Sequence, residues 1–416
     1  MSQGVRDTIL SLISIVLVFF YLLLLGKQLG VGAGTDIYFL SVMVIAYLNN
    51  LVQSIWDAMQ PYYVELKESS RQSADVLYSV FLNAIFLFAL FIIFLYFIIS
   101  SHFMLLDTLQ KEFLDIYIFI ILFQNFLIFN KKILNLEEHY ASYYLVDIFI
   151  YSINIITLLW FFDGDIRVVA YSMLLGTSLA TVWQFYLIMG RLSIGYRLQL
   201  YHVKMREIFK NSFKMKLSSI LYDSKEPLFA TIFLSFGEGV YSLYNYAIKF
   251  SAAIFQVTNT PSINRYLTRL NSMVAKKEYE KIEPLVKEVL YSTVPFFLLV
   301  TLSFYFIMPL FLELTFGNKL SSESVTILES IFIYMSLYYL AIVFEAPYTN
   351  SMAILKTFNY NLLVNALFAL FMLFIYLLFK GFSLDYRVYL MVLIVAQLSN
   401  LFLFYNKNRL YLRSKL

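Results

Sequence analysis

Apolar residues run along this chain in continuous blocks of about 20, and short polar connections separate the blocks. A helical block of that length matches the hydrocarbon thickness of a bilayer. The blocks do not alternate apolar with polar as the strands of a membrane barrel do. Twelve spans follow, at about 8–26, 36–63, 76–100, 113–131, 142–162, 168–190, 214–236, 239–264, 288–312, 326–351, 357–379 and 387–405. Composition agrees: of 416 residues, 61% are hydrophobic and 14% charged, where soluble domains are nearer half and a quarter. The pattern predicts an all-α polytopic membrane protein with about 12 transmembrane helices.

Charge orients the spans. One set of connections carries Arg6, Lys67, Arg71, Lys131, Lys132, Arg191, Arg197, Lys204, Arg206, Lys210, Arg265, Arg269, Lys276, Lys277, Lys281 and Lys356, and Lys407, Arg409, Arg413 and Lys415 follow the last span. The opposite set carries only Lys27, Lys111, Arg167, Lys319, Lys380 and Arg387. The positive-inside rule therefore places both termini in the cytoplasm. Topology accounts for the basic loops, and contact with anionic membrane lipids is a secondary reading of them. The first run, Ile9 to Leu25, is followed by no small-x-small cleavage site and reads as a retained helix.

The chain also carries weak signs of duplication. Leu145-Val146-Asp147 lines up with Leu363-Val364-Asn365, Asp165-x-Arg167-Val168 with Asp385-x-Arg387-Val388, and Pro61 with Pro261. The matches keep their order, and span lengths correspond across six positions. The expected division is a bundle at 1–190, a basic cytoplasmic linker at 191–212 and a second bundle at 213–416. A parallel repeat puts a transport site between the halves, in a central cavity near the midplane.

The stretch from Phe213 to Phe236 departs from the apolar pattern. Asp223, Lys225, Glu226 and Pro227 stand in its middle. Each ionisable group at that depth costs about 2.5–3.5 kcal/mol on insertion scales. Asp223 and Glu226 are three apart and share a helix face, while Lys225, two residues from Asp223, points away from it. The three charges then cannot satisfy one another within the helix, and a partner must come from another span or from water. Pro227 removes a backbone donor, so it is either a gating bend or an ordinary kink. Lys249 is a second basic residue well inside a span.

Other polar positions are less exceptional. Asn49 or Asn50, Gln53, Asp57 and Gln60 form a stripe in span two, either a cavity lining or a hydrogen-bonded seam. Glu345 lies near the cytoplasmic end of span ten, and Asp147 near that of span five, where interfacial exposure suffices to explain them. Asn125, Asn130, Gln397 and Asn400 are weaker candidates. Cysteine is absent. His102, His139 and His202 have no metal-ligand spacing, and no phosphate-binding Gly-x-x-x-x-Gly-Lys-Ser/Thr loop occurs. These observations argue against metal chemistry and against an ATP-driven pump within the chain, and nothing marks a nucleic-acid partner.

Three features together carry a family resemblance. The turn Gly26–Gly34 is glycine-rich, Thr35-Asp36-x-Tyr38-Phe39 opens span two, and Gln53-x-x-Trp56-Asp57-x-x-x-Pro61 ends it. Phe236-Gly237-Glu238-Gly239-Val240-Tyr241-Ser242 opens span eight in a similar way. The chain resembles the MOP exporter superfamily, particularly its bacterial polysaccharide (Wzx-like) flippases and its lipid II flippases. The resemblance implies two six-helix bundles around a cavity that opens alternately to either side of the inner membrane. It also implies an undecaprenyl-pyrophosphate-linked sugar as substrate. Lipid II flippases usually have fourteen helices and an Arg-Glu pair before the glycine-rich turn. Twelve spans and Lys27-Gln28 here favour an oligosaccharide-repeat flippase, of the O-antigen kind.

With that substrate, Lys225 and Lys249 are the expected pyrophosphate contacts, unless each only neutralises an acid or snorkels. Asn49 and Gln53 suit sugar hydroxyls. Asp223, Glu226, Asp57 and Glu345 are candidate coupling sites for H+ or Na+, with pairing to Lys249 the alternative for the acids of span seven. No bond need be broken, so no catalytic residue is assigned. A cation-coupled multidrug exporter shares the fold. A membrane-embedded polysaccharide polymerase would need longer outward loops. Polysaccharide-assembly proteins are the partners such a flippase implies.

Overall fold

The structure is a computed structural model that describes residues 3–102, 108–137, 139–354, 358–382 and 384–414. Among the described residues there are fourteen α-helices and no strand. They are α1 (Gln3–Leu29), α2 (Ala33–Ser69), α3 (Arg71–His102), α4 (Thr108–Tyr117), α5 (Ile120–Leu136), α6 (Tyr140–Trp160) and α7 (Ile166–Phe185). A π-helical turn, Tyr186–Arg191, extends α7. Then come α8 (Met205–Asp223), α9 (Lys225–Ser235), α10 (Val240–Ala275), α11 (Ile282–Phe316), α12 (Ser322–Ile354), α13 (Phe358–Phe382) and α14 (Tyr386–Arg413). Eight helical segments among the described residues are long and apolar enough to cross a membrane, and Val16–Leu29 and Ala33–Asn49 are shorter apolar helices. The chain is a multi-pass membrane protein, in agreement with its hydropathy.

Two compact units share the chain. One comprises residues 1–30 and 37–216, the other residues 31–36 and 217–416. The division falls inside α2 and inside α8.

The first unit is built on α2, α3, α5 and α7. Tyr63, Tyr78, Phe81, Phe129 and Ile188 are at the centre of its core, with the Tyr78 and Phe129 rings stacked at 5.5 Å. In lipid, close backbone approach replaces the hydrophobic effect as the packing force. Gly176 on α7 shows this: a Cβ there would meet the Ile150 carbonyl oxygen of α6 at 3.3 Å, and Ala180, one turn on, is buried. Just past α5, Glu137 accepts hydrogen bonds from Tyr63 (3.0 Å), Lys67 (2.9 Å) and Arg71 (2.8 Å). One carboxylate thus fastens the end of α2 and the start of α3 to the end of α5. Asp147 is not merely interfacial, because Lys131 pairs with it at 2.6 Å.

The second unit packs α9, α10 and α14 through aromatic rings. Phe233 stacks on Tyr244 at 4.1 Å, and Phe229 meets Tyr389 edge-on at 5.0 Å. Such pairs contribute about 0.5–1.5 kcal/mol each beyond area burial.

Asp165 caps α7 by accepting from the Arg167 N–H at 2.9 Å. Asp385 caps α14 by accepting from the Arg387 N–H at 2.7 Å. Both halves therefore open their last helix with the same Asp-x-Arg device. Val146 and Val364 are both buried.

One expectation fails. Span seven is not a single helix from 214 to 236, because α8 stops at Asp223 and α9 starts at Lys225. Two features meet at the joint: the Ser224 hydroxyl donates to the Leu221 carbonyl at 2.7 Å, and Pro227 has no N–H for the Asp223 carbonyl, four residues earlier. Pro227 itself falls in the first turn of α9, where its missing donor is tolerated.

Candidate functional site

The charges of this stretch stand at the joint between α8 and α9, where Ser224 keeps a helical backbone (φ −59°, ψ −17°). On a continuous helix Asp223 and Lys225 would diverge by about 200°. In the structure the Lys225 Nζ lies 4.0 Å from Asp223 Oδ1 and 3.7 Å from Glu226 Oε1. It also donates to the Tyr222 carbonyl at 3.4 Å and sits 3.7 Å from the centroid of the Tyr222 ring. Lys225 thus meets both carboxylates at the long end of ion-pair distance, and Asp223 also accepts from the Ser219 hydroxyl at 3.2 Å. Lys225 is only 6% exposed, so two carboxylates and a ring face enclose it.

From Tyr222 a buried chain of hydrogen bonds runs inward. The Tyr222 hydroxyl shares a hydrogen with Tyr338 Oη at 2.7 Å and donates to Gln397 Oε1 at 3.2 Å. Gln397 Nε2 donates to Glu345 Oε2. The other oxygen, Glu345 Oε1, accepts from the Thr349 hydroxyl at 3.0 Å. Phe368 on α13 stacks against the Tyr222 ring at 5.1 Å. The chain links α8, α12 and α14.

Glu345 is 8% exposed, which corrects the expectation of interfacial exposure. Its burial comes from Gln397 and Thr349, not from its depth along α12. Glu345 makes no ion pair among the described residues, and Lys225 acts on it only through space. A buried carboxylate held by neutral donors is costly unless the site uses its charge.

Lys249 differs from Lys225. It is exposed on α10 and makes no ion pair among the described residues. Glu226 acts on it through space without a direct pair. The two lysines are thus an enclosed one and an available one.

Asn49 on α2 is 3% exposed, and neither end of its amide has a hydrogen-bond partner among the described residues. Leaving both ends of a buried amide unpaired costs several kcal/mol. The side chains of Gln53 and Asp57 lie outside the described ones. Among the weaker candidates, Asn130 accepts from the Tyr78 hydroxyl at 3.1 Å, and Asn125 bonds back to its own helix at Ile121 O.

Asp36 received no role from the sequence, though it stands in the quoted span-two opening. Its carboxylate accepts from the N–H groups of Gly239 and Ser242, each at 2.7 Å, and from the Ser242 hydroxyl at 2.6 Å. Glu238 returns the contact by accepting from the Ala33 N–H at 2.9 Å. Helices α2 and α10 thus cap each other's N-termini. Gly239 is required here: its φ is +84°, and a Cβ would meet Val31 Cγ1 at 2.6 Å. Tyr222, Tyr338 and Thr349 were also missed, because an aromatic or a threonine in an apolar span carries no signal on its own.

No protein-family profile and no curated protein matches the sequence. Solved structures do match in fold. The lipid II flippase MurJ in its inward closed conformation superposes with a TM-score of 0.79 at 16% identity, covering 96% of this chain and 86% of that one. An inward-facing multidrug resistance MATE family transporter of the MOP superfamily gives 0.77 at 13% identity, covering 95% and 94%. A MOP superfamily transporter from Pyrococcus furiosus, described as having a binding pocket of reversed polarity that suggests a different function, gives 0.72 at 13% identity, covering 99% and 95%. The chain has the all-helical fold of MOP superfamily transporters.

Proposed function

We propose that the chain is a flippase that carries an undecaprenyl-pyrophosphate-linked oligosaccharide across the bacterial inner membrane by alternating access, coupled to H+. One contrast carries the reading. In the second unit Lys249 is an exposed cation without an ion pair, while Glu345 is a buried acid without one. An available ammonium suits a pyrophosphate. A buried carboxylate suits a proton, because its occupancy changes charge where charge is expensive.

H+ fits Glu345 better than Na+. Its two oxygens face hydrogens, those of Gln397 Nε2 and the Thr349 hydroxyl. A sodium ion needs lone pairs from such neighbours. Lys225 serves in this reading as the fixed countercharge between Asp223, Glu226 and Glu345, not as a substrate contact. Asn49, with its unpaired amide, is a candidate for sugar hydroxyls, and Pro227 marks the joint that gates the site.

The neighbours in fold are transporters and flippases, which supports transport over bond-breaking chemistry. The lipid II flippase among them supports a lipid-linked substrate. The second reading, a cation-coupled multidrug exporter, is favoured by the acid excess of the cluster: Asp223, Glu226 and Glu345 against Lys225 and Lys249.

A leaflet-resolved assay of lipid-linked sugar tests the proposal. Depleting the protein should leave lipid-linked repeats on the inner leaflet. Lys249→Ala should slow their export by about tenfold, the loss of one charge-assisted contact, with normal membrane insertion. Unchanged leaflet distribution on depletion, with increased drug sensitivity, would select the exporter instead.

A further inference from the structure

Between the π-helical turn and α8 the chain runs as an extended strap, with residues 193–202 in neither helix nor strand. It lies along the first turns of α3. Three residues of α3, spaced four apart, hold its main chain. Asp75 Oδ2 accepts from the Gly195 N–H at 3.0 Å. Ser79 Oγ accepts from the Arg197 N–H at 3.0 Å. Asn83 Nδ2 donates to the carbonyls of Arg197 and Gln199, at 3.3 and 2.9 Å. Tyr196 closes the set by donating to Asn83 Oδ1 at 2.6 Å.

These contacts pair the strap's main chain at Gly195, Arg197 and Gln199, where an irregular segment in water would need no help. Unpaired backbone groups are tolerated in water and excluded from lipid. Asp75 to Asn83 also covers the point where α3 becomes continuously apolar, which is where hydropathy sets the edge of a hydrocarbon layer. Large apolar side chains stand on the strap's exposed face, alternating with Arg197 and Gln199. Leu198 is 85% exposed and Val203 78%, and Leu200 and Tyr201 are exposed beside them. Arg206 and Lys210, four apart on α8, are exposed just beyond. From 191 to 210 the sequence holds five basic residues and one acid, Glu207, which Lys204 approaches at 3.7 Å.

We propose that this strap is a membrane-surface anchor. Leu198, Leu200 and Val203 enter the leaflet on the basic side of the protein, and Arg206 and Lys210 bind anionic phospholipid head groups. The polar stripe of α3 makes this possible, since it pairs the main chain that the anchor carries into the interface. An apolar row edged by basic residues fits an anionic lipid surface better than an aqueous one.

The chain has no native cysteine, so single-cysteine spin labelling tests this in the full-length protein. Labels at Leu198→Cys and Val203→Cys would be read in nanodiscs of phosphatidylcholine with phosphatidylglycerol, using molecular oxygen and a nickel chelate as relaxants. We expect oxygen to dominate, with an accessibility ratio above one. Arg206→Gln together with Lys210→Gln should lower that ratio about twofold or more in these discs, with no change in phosphatidylcholine alone. A ratio below one at both labels would put the strap in water and overturn the proposal. Low accessibility to both relaxants would assign the face to a protein contact and also overturn it. An oxygen-dominated ratio indifferent to the charge changes and to lipid composition would overturn the head-group contact.

Discussion

The Asp36 carboxylate and Ser242 form an N-terminal cap that joins residues 203 or more positions apart: Asp36 closes α10 from the first turn of α2, accepting from both the Ser242 N–H and its hydroxyl. Free N–H groups and the positive end of the dipole make a helix N-terminus a natural seat for a carboxylate. Asp36→Ala leaves two buried N–H groups unpaired, so it should cost about 2–4 kcal/mol. Ser242→Ala removes only the hydroxyl contact and should cost about 1 kcal/mol. Thermal unfolding of the purified protein checks the order. Equal melting temperatures for the two variants would contradict the cap.

Acid sensitivity should centre on Glu137. Burial opposes its charge, yet its hydrogen bonds with Lys67 and Tyr63 and the Arg71 guanidinium prevail and hold the carboxyl below its usual range. A depressed folded-state pKa gives stability that is present above the unfolded value, about 4.3 for glutamate, and is lost as pH falls through the folded value. Wild type should therefore melt higher than Glu137→Gln at pH 7, and the gap should narrow as pH drops below about 4. A gap that stays constant down to pH 3 would show that ionisation of Glu137 does not matter.

Lys225 and Lys249 should behave oppositely. Lys225→Met removes the cation between Asp223 and Glu226 and should destabilise the protein by about 1–3 kcal/mol. Lys249→Met touches no ion pair and should leave the melting temperature within about 0.5 kcal/mol of wild type in free-energy terms while impairing transport. Paired measurement of melting and transport distinguishes them. Full stability of Lys225→Met would mean that its two carboxylates do not depend on it.

The fold was legible because lipid imposes a simple code. Runs of about 20 apolar residues have no alternative to helices, and the paired Asp165-x-Arg167 and Asp385-x-Arg387 motifs signal caps that the structure contains. The site was legible only in part. A regular helix puts Asp223 and Lys225 on diverging faces, and no local pattern states that Ser224 turns its hydroxyl onto the Leu221 carbonyl at the joint. Position along span ten suggests exposure for Glu345, but Gln397, 52 positions away, donates to it. Asp75, Ser79 and Asn83 carried a visible spacing of four. Their purpose depends on where the 193–202 strap runs, which no local pattern states.

Restoring the donor at Pro227 should mend the interruption. Pro227→Ala supplies an N–H to the Asp223 carbonyl, so α8 and α9 should join and Lys225 should rotate away from Asp223. Hydrogen exchange at residues 224–228 should slow, and transport should fall if the joint gates the site. Unchanged exchange would show that Ser224 or the surrounding packing, not the missing donor, sets the break.

The sharpest test concerns Glu345, because its network can reverse direction. Glu345→Gln introduces an amide donor where Oε2 now accepts from Gln397. Gln397 can flip its own amide, accept from the new donor and present its NH2 to the Tyr222 hydroxyl, which then donates to Tyr338 at their 2.7 Å separation. Only the Tyr338 hydroxyl hydrogen loses its acceptor, Tyr222 Oη, so the variant should fold with stability within about 1–2 kcal/mol of wild type. Protonation of Glu345 would drive the same reversal, and the flip would carry the proton's arrival to Tyr222, beside the ring on which Lys225 sits. Glu345→Gln should therefore keep transport down a substrate gradient but lose its response to an imposed pH gradient. Glu345→Leu leaves Gln397 without its acceptor, while Thr349 keeps the backbone carbonyl of residue 345, and should cost about 1–3 kcal/mol as well. Proteoliposomes with a pH step, read for substrate on each leaflet, decide the matter: a pH response preserved in Glu345→Gln would remove Glu345 from the coupling mechanism.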